Sequence, residues 1–312
     1  MTRDFRQQDW DEAVEDDCRQ IVRLAVREDL DRLHDWTTVS LVPHDACGAA
    51  DVVTRRAGVV AGLAAARVAL DEMDAAVDWS PRVVDGAEVD AGATLATLAG
   101  PARSLLTAER LILNLIGRLS GIATLTRRFV TRVAGSGARI YDTRKTTPAW
   151  RRLEKYAVRC GGGRNHRTGL FDAVLIKDNH LAWGGAADTS RRFTPAEAVA
   201  RAREFLRSLP AGSAGAEIGD LLIEVEVDTL DQLDAVLPQR PDLVLLDNMT
   251  RDELRSAVAR RDASAPEVQL EASGGIDLET VRAVAETGVE RISVGALTHS
   301  AVSLDVALDW LG

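Results

Sequence analysis

The sequence predicts an α/β protein in which a mixed α and β segment precedes an incomplete parallel α/β barrel. Three observations predict this class. Six short β-branched or apolar runs, ARIYD, DAVLIKD, LLIEVEV, DLVLLD, EVQLEAS and RISVGA, recur between Ala138 and Ala296. The helical stretches TPAEAVARAREFLRSL, TRDELRSAVARR and LETVRAVAETG separate the later runs, and strands alternating with helices at this spacing indicate parallel βα units. The length of 312 residues exceeds the roughly 100 to 200 of one ordinary domain, which favours two domains. Six runs fall short of the eight strands of a full barrel, so the barrel is incomplete or closed by elements without a strand signature.

Upstream, the pattern predicts an amphipathic helix from Trp10 to Leu30 and a helix from Gly62 to Met73. Short strands are expected at Ala50 to Arg55, Val83 to Val84 and Thr94 to Leu98. From Thr107 to Gly121 nearly every position is apolar except Arg110, Asn114 and Arg118, which are spaced four apart on one helical face. This is a buried helix with a polar stripe. Late in the chain, AGSAGAEIG at Ala211 to Gly219 reads as a glycine-rich connection.

Composition excludes several classes. Apolar residues make up 46% and charged residues 28%, and no run approaches the roughly 18 apolar residues of a membrane helix. The N-terminus is acidic and polar where an export signal is basic and then apolar, so a cytoplasmic protein is expected. Cys18, Cys47 and Cys160 are odd in number and dispersed, which argues against disulfides and structural zinc and leaves them as small core residues. A net charge of −10 disfavours a general nucleic-acid surface. Against that balance, nine Lys or Arg lie between Arg139 and Arg167, with only Asp142 and Glu154 opposing them. The three lysines, Lys145, Lys155 and Lys177, all fall in this central region, where a compact charge in place of a planar guanidinium marks Lys145 and Lys177 for inspection. Lys155 reads as part of an exposed helix.

Parallel βα folds place chemistry at the C-terminal strand ends. Here those ends are polar in succession: Asp142, Thr143, Arg144 and Lys145; Lys177, Asp178 and Asn179; Glu224 and Glu226; Asp247 and Asn248; Glu271 and Ser273; then Gly295. Ser273, Gly274 and Gly275, followed by a helix, offer a hydroxyl, exposed N–H groups and a positive helix end for a phosphate, paired with Val294, Gly295 and Ala296 after the next strand. Glu226 and Asp247 end adjacent strands, suited to ribose hydroxyls or a hydrated Mg²⁺, with structural ion pairing to the arginine-rich loops as the alternative. Glu224, two residues before Glu226, points to the same face. The loop from Gly161 to Arg167 carries Arg164, His166 and Arg167, and forked guanidinium groups suit an acid with more than one carboxylate.

DTRKTTP at Asp142 to Pro148, GGGRNHR at Gly161 to Arg167 and LIKDNH at Leu175 to His180 occur in one order, continued by EVEVDTLDQL, LVLLDNM, LEASGGI and VGALTHS. With TAERLILNLIGRLSGIAT upstream, the chain from about Leu105 onward resembles the quinolinate phosphoribosyltransferase family. Before Leu105 it departs from the family pattern, with His34, Asp35, Trp36, Thr37 and Thr38 where Gly-Asp usually precedes a Thr pair, and after Leu105 the stretch from Ala182 to Thr194 is longer than usual.

The resemblance implies an N-terminal α/β sandwich, residues 1–125 with a tail at 300–312 packed on it, and a barrel at 126–299. It also implies a homodimer, open to higher assembly, whose sites are shared between chains, with Arg110 entering the neighbouring site. Thr143, Arg144, His166 and Arg167 would bind quinolinate. Lys145 and Lys177 would face the pyrophosphate or the reacting carboxylate, and Glu226 and Asp247 the ribose and Mg²⁺. Ser273, Gly274, Gly275, Val294, Gly295 and Ala296 would hold the 5′-phosphate. Lys145, Lys177, Glu226 and Asp247 are the expected catalytic set. The substrates implied are quinolinate and phosphoribosyl pyrophosphate, with Mg²⁺ and no organic cofactor, and neither nucleic acid nor membrane as partner. Three other readings stay open from the residues alone. They are a relative acting on nicotinate, a barrel aldolase with Lys177 as Schiff-base lysine, and a non-catalytic phosphate-binding module.

Overall fold

The structure is a computed structural model describing residues 3–184, 192–209 and 221–311. The glycine-rich connection at Ala211 to Gly219 and residues 185–191 of the long stretch lie outside the described residues. The first elements are α1 (Glu12–Leu30), α2 (Trp36–Leu41), β1 (Cys47–Thr54), β2 (Gly58–Val59), α3 (Leu63–Glu72), β3 (Asp78–Pro81), β4 (Glu88–Val89), β5 (Thr94–Pro101) and α4 (Ala102–Val133). There follow β6 (Arg139–Tyr141), α5 (Arg151–Cys160), β7 (Ala173–Ile176), α6 (Asp178–Gly184), α7 (Pro195–Ser208), β8 (Leu222–Val227) and α8 (Leu230–Val236). The chain ends with β9 (Leu243–Asp247), α9 (Arg251–Ser264), β10 (Gln269–Ser273), α10 (Val281–Ala285), β11 (Arg291–Ser293), α11 (Ala296–His299) and β12 (Val306–Leu311).

Internal contacts group the chain into two units: the segment up to Arg6 with Phe129–Arg144 and Asn165–Val294, and Gln7–Arg128 with Lys145–Arg164 and the chain from Gly295. The first unit carries six parallel strands in the order β6, β11, β10, β9, β8, β7. Each strand coincides with one of the six runs in the sequence. Among the described residues β6 and β7 are not paired with each other, so the strands form an incomplete barrel wall. Strands buried on both faces read as continuous apolar runs, as Leu243 to Leu246 do, and capping boxes at Thr194 and Thr250 start α7 and α9 where the sequence switches to helical spacing.

In the second unit the antiparallel sheet runs β12, β1, β5, β3, so the last strand of the chain pairs with the first. Helix α4 is longer than the apolar stretch that announces it, because the apolar spacing continues through Ile122, Ala123 and Phe129. A Cβ at Gly121 of α4 would lie 2.2 Å from the carbonyl oxygen of Val302, so only glycine lets the chain before β12 lie against this helix. Asp35 caps α2 by accepting the Thr38 N–H at 3.0 Å, which gives the His34 to Thr38 segment a helix start.

Three expectations are corrected. No strand forms at Val83 to Val84. These valines sit in the turn between β3 and β4, where Val84 is exposed and Asp85 turns inward to accept the N–H groups of Gly62 and Leu63. Lys155 is buried in α5 instead of exposed, since that helix is enclosed on the face bearing its charges and neighbouring Glu154 is met by Arg118 at 2.6 Å. Cys47, at the exposed start of β1, is not a core residue, whereas burial of Cys18 pushes its thiol up to about 12.

Candidate active site

The C-terminal ends of the parallel strands bring most of the expected residues into one unit: Thr143, Arg144, His166, Arg167, Lys177, Glu226, Asp247, Ser273, Gly274, Gly275 and Val294. Arg110, Lys145, Gly295 and Ala296 belong to the other.

The arginine loop is built from Asp142, the residue after β6. Its buried carboxylate accepts the Asn165 amide at 2.6 Å and the His166 N–H at 2.9 Å, which fixes the loop to the strand end. His166 is buried too. Its Nδ1 accepts the Arg167 N–H at 2.8 Å, and its Nε2 lies 2.9 Å from Glu224 and 3.6 Å from Glu271. Ligand atoms of these three residues all lie within 4.8 Å of one another. Burial, then the charge of Glu224, pushes the Glu271 carboxyl up to about 7, and a proton there relieves the buried negative charge.

Arg144 and Arg167 each bury an Nε that has no hydrogen-bond partner among the described residues. Burial, then the charge of Arg144, holds the Arg167 guanidinium below its ordinary range. Arg167 also lines a cavity of about 480 Å³ with Leu175, Ile176, His180 and Phe205. Unused guanidinium N–H groups have the chemistry to take a carboxylate, and Arg167 offers its own beside apolar walls.

On the next strands Lys177 pairs with Glu226. Burial raises the Glu226 carboxyl against the lowering effect of Lys177, and Asp247 and Asp178 raise it further. Glu226 is thus paired with the Lys177 ammonium and acted on by two further carboxylates, a surplus of negative charge that fits a hydrated divalent cation. Asp247 accepts the Asn248 amide at 2.7 Å, and the Asn248 N–H donates to the Ser273 carbonyl at 2.9 Å, tying the end of β9 to the Ser273 turn.

In that turn Gly274 has φ +100° and Gly275 φ +61°, and nothing lies within 4 Å of a Cβ at Gly275. Gly275 thus presents open backbone, whereas Gly274 is packed against the Asn248 side chain. The helix expected to follow at once does not: α10 begins at Val281, because Asp277 caps an intervening turn through the Glu279 and Thr280 N–H groups. The turn therefore offers backbone N–H groups without a helix end.

In the second unit Gly295 admits two side chains, since a Cβ there would lie 3.0 Å from Lys145 Cδ and 3.2 Å from His299 Nε2. Thr298 donates to the Lys145 carbonyl at 2.8 Å. The polar stripe of α4 divides: Arg110 and Asn114 are exposed, whereas Arg118 is spent on Glu154 and on the carbonyl of Ala301 at 3.1 Å. Sequence reasoning missed Phe5, whose ring lies 4.3 Å from the His166 ring, because an isolated aromatic in a polar N-terminus gives no periodic signal.

Known proteins align with this arrangement along nearly the whole chain. The family description "Quinolinate phosphoribosyl transferase, N-terminal domain" matches residues 35–120, and its C-terminal counterpart matches residues 122–309. The nicotinate-nucleotide pyrophosphorylase [carboxylating] of Mycobacterium leprae is 45% identical over 296 residues, 94% of this chain and 97% of that protein. A probable enzyme of the same name from Bacillus subtilis is 41% identical, covering 88% of this chain and 87% of its own. The solved nicotinate-nucleotide pyrophosphorylase of Francisella tularensis superposes with a TM-score of 0.85 at 34% identity, covering 99% of this chain and 100% of that one.

Proposed function

The chain belongs to the quinolinate phosphoribosyl transferase family, and on that premise we propose that it transfers the phosphoribosyl group of phosphoribosyl pyrophosphate to quinolinate with decarboxylation. The products are nicotinate mononucleotide, pyrophosphate and CO₂, a step in NAD synthesis. The observation that carries this reading is the pair of guanidinium groups of Arg144 and Arg167, each with a buried, unused Nε donor. A dicarboxylate supplies the acceptors that both lack and offsets their mutual repulsion.

In this reading Arg144, His166, Arg167 and Thr143 orient the pyridine dicarboxylate, and the backbone at Ser273, Gly274 and Gly275 holds the 5′-phosphate, with Val294, Gly295 and Ala296 completing that cradle. Glu226 and Asp247 receive the ribose hydroxyls and Mg²⁺, directly or through water. Mg²⁺ supplies charge stabilisation to the departing pyrophosphate. Lys145 and Lys177 neutralise the same leaving group or the reacting carboxylate. The ring nitrogen attacks the anomeric carbon as the bond to pyrophosphate breaks. The resulting pyridinium takes up the electron pair when the adjacent carboxylate leaves as CO₂, and a proton from water replaces it on the ring carbon. No organic cofactor is required. We further place the enzyme in the cytoplasm as a homodimer in which the exposed Arg110 enters the partner's site. Among the described residues no helix is long and apolar enough to cross a membrane.

The test is to supply quinolinate or nicotinate with phosphoribosyl pyrophosphate and Mg²⁺ and to measure CO₂ and nucleotide. Equal amounts of both products from quinolinate, abolished by chelation of Mg²⁺, are expected. Turnover of nicotinate with no reaction of quinolinate would overturn the assignment.

A further inference from the structure

The segment that ends at Arg6 groups with the strand-bearing unit. Phe5 is 4% exposed and packs in a buried cluster with Tyr141, Ala173, Leu222 and Leu243. The last three are the first residues of β7, β8 and β9, so Phe5 packs against the N-terminal ends of these three strands. Polar contacts hold it there. Asp4 accepts the Tyr141 hydroxyl at 3.0 Å and pairs with Arg291 at 3.0 Å, and the Arg291 guanidinium stands 5.3 Å over the Phe5 ring. Arg3 pairs with Asp242 at 2.9 Å, just ahead of β9.

The ring anchored in this way touches the substrate loop from beneath. Its centroid lies 4.3 Å from that of His166, with the planes tilted by 30°. The His166 imidazole is thereby confined on one face by Phe5 and at Nε2 by the buried Glu224 and Glu271 carboxyls, while Nδ1 holds the Arg167 N–H. Any rotation of the imidazole breaks the bond that sets the Arg167 backbone. Side chains that carry a binding group are productive only when a supporting layer locks them.

We infer that Phe5 is a positioning residue for the substrate loop: it fixes the His166 ring, and through the Nδ1 bond the backbone of Arg167, without touching substrate. The inference rests on the dicarboxylate reading of Arg144 and Arg167. Its selectivity distinguishes it from a purely structural role. Loss of the ring loosens the acceptor site, while the Ser273 turn, tied instead to Asn248, stays in place.

The test compares Phe5→Leu, which keeps apolar volume but loses the stacked ring, with Phe5→Tyr, which keeps the ring, and with Phe5→Ala. In the folded Phe5→Leu protein the KM for quinolinate should rise about tenfold, as small misplacements of a binding group do. The KM for phosphoribosyl pyrophosphate should stay within about twofold, and Phe5→Tyr should restore the wild-type value. A readout independent of activity is the proton NMR spectrum of the five histidines, in which the ring-current shift of His166 should vanish in Phe5→Leu and persist in Phe5→Tyr. A lowered Tm in Phe5→Leu with unchanged KM for quinolinate, or equal rises for both substrates, would overturn the positioning role. If wild-type protein fails to use quinolinate, the functional reading falls, and the histidine shift still decides whether Phe5 fixes the ring. Should Phe5→Ala not fold, the Leu and Tyr variants carry the comparison alone.

Discussion

The charge of Arg144 bears on Arg167 as a like charge, second only to burial in holding that guanidinium below its ordinary range. Neither Nε finds an acceptor among the described residues, and the proposed dicarboxylate would supply one. A charge-assisted contact contributes about 1.5 to 3 kcal/mol, which corresponds to a factor of roughly 10 to 100 in affinity. Arg167→Lys replaces a fork with a point charge and should raise the KM for quinolinate by that factor. Steady-state kinetics with each substrate varied in turn checks this. Equal losses for both substrates would assign Arg167 to the phosphates or to the fold.

Two neighbouring glycines should respond differently to alanine. At Gly274 a Cβ would meet the Asn248 side-chain oxygen at 2.1 Å, and Asn248 in turn holds Asp247. Gly274→Ala should therefore displace the end of β9 and weaken phosphoribosyl pyrophosphate binding about tenfold or more. Gly275 has open space around it, so alanine there meets only the cost of a left-handed backbone, about 1 to 2 kcal/mol. Calorimetry should find a Tm a few degrees lower in Gly275→Ala. Identical kinetic defects in the two variants would show that the clash with Asn248 is not what matters.

The strands of the barrel wall were legible because parallel strands buried on both faces leave apolar runs, and because their polar ends, such as Lys177, Glu226 and Asp247, interrupt those runs abruptly. What lay outside sequence reasoning depends on partners distant in the chain. Glu154 and Lys155 look solvated until α5 is enclosed, and Arg118 looks like part of a binding stripe until Glu154 claims it. Phe5 acquires meaning only through His166, in contact across 161 positions of sequence by their numbering. Val84 carries strand propensity, yet Asp85 and Gly86 make a turn that propensity cannot overrule.

Glu271 gives the fold a signature in pH. Burial and the charge of Glu224 push its carboxyl from 4.5 up to about 7. The folded protein therefore keeps a proton that the unfolded chain releases between these values. This contribution to stability is whole below the lower value, is lost as pH rises to the upper one, and stays lost above it. At about 1.4 kcal/mol per unit, the effect has a ceiling of about 3 kcal/mol. Glu271→Gln mimics the neutral form at every pH, so its Tm relative to wild type should climb from roughly pH 5 to pH 8. A difference in Tm that stays flat across this range would mean that Glu271 does not hold the proton.

The exposed Arg110 on α4 supports the proposal of shared sites, and that proposal has a quantitative consequence. If Arg110 serves the partner's site while Lys177 serves its own, Arg110→Ala and Lys177→Ala should each be nearly inactive as pure dimers, since every site then carries the lesion. In a two-fold dimer with one chain of each kind, one site collects both lesions and the other receives an intact Arg110 and an intact Lys177. Random exchange of equal amounts makes half of the dimers mixed, and half of their sites whole, so about a quarter of wild-type activity should return. The two variants are to be unfolded and refolded together, with each refolded alone as a control and a mass tag to verify exchange. If tagged mixed dimers form and activity stays at the level of the controls, Arg110 acts within its own chain.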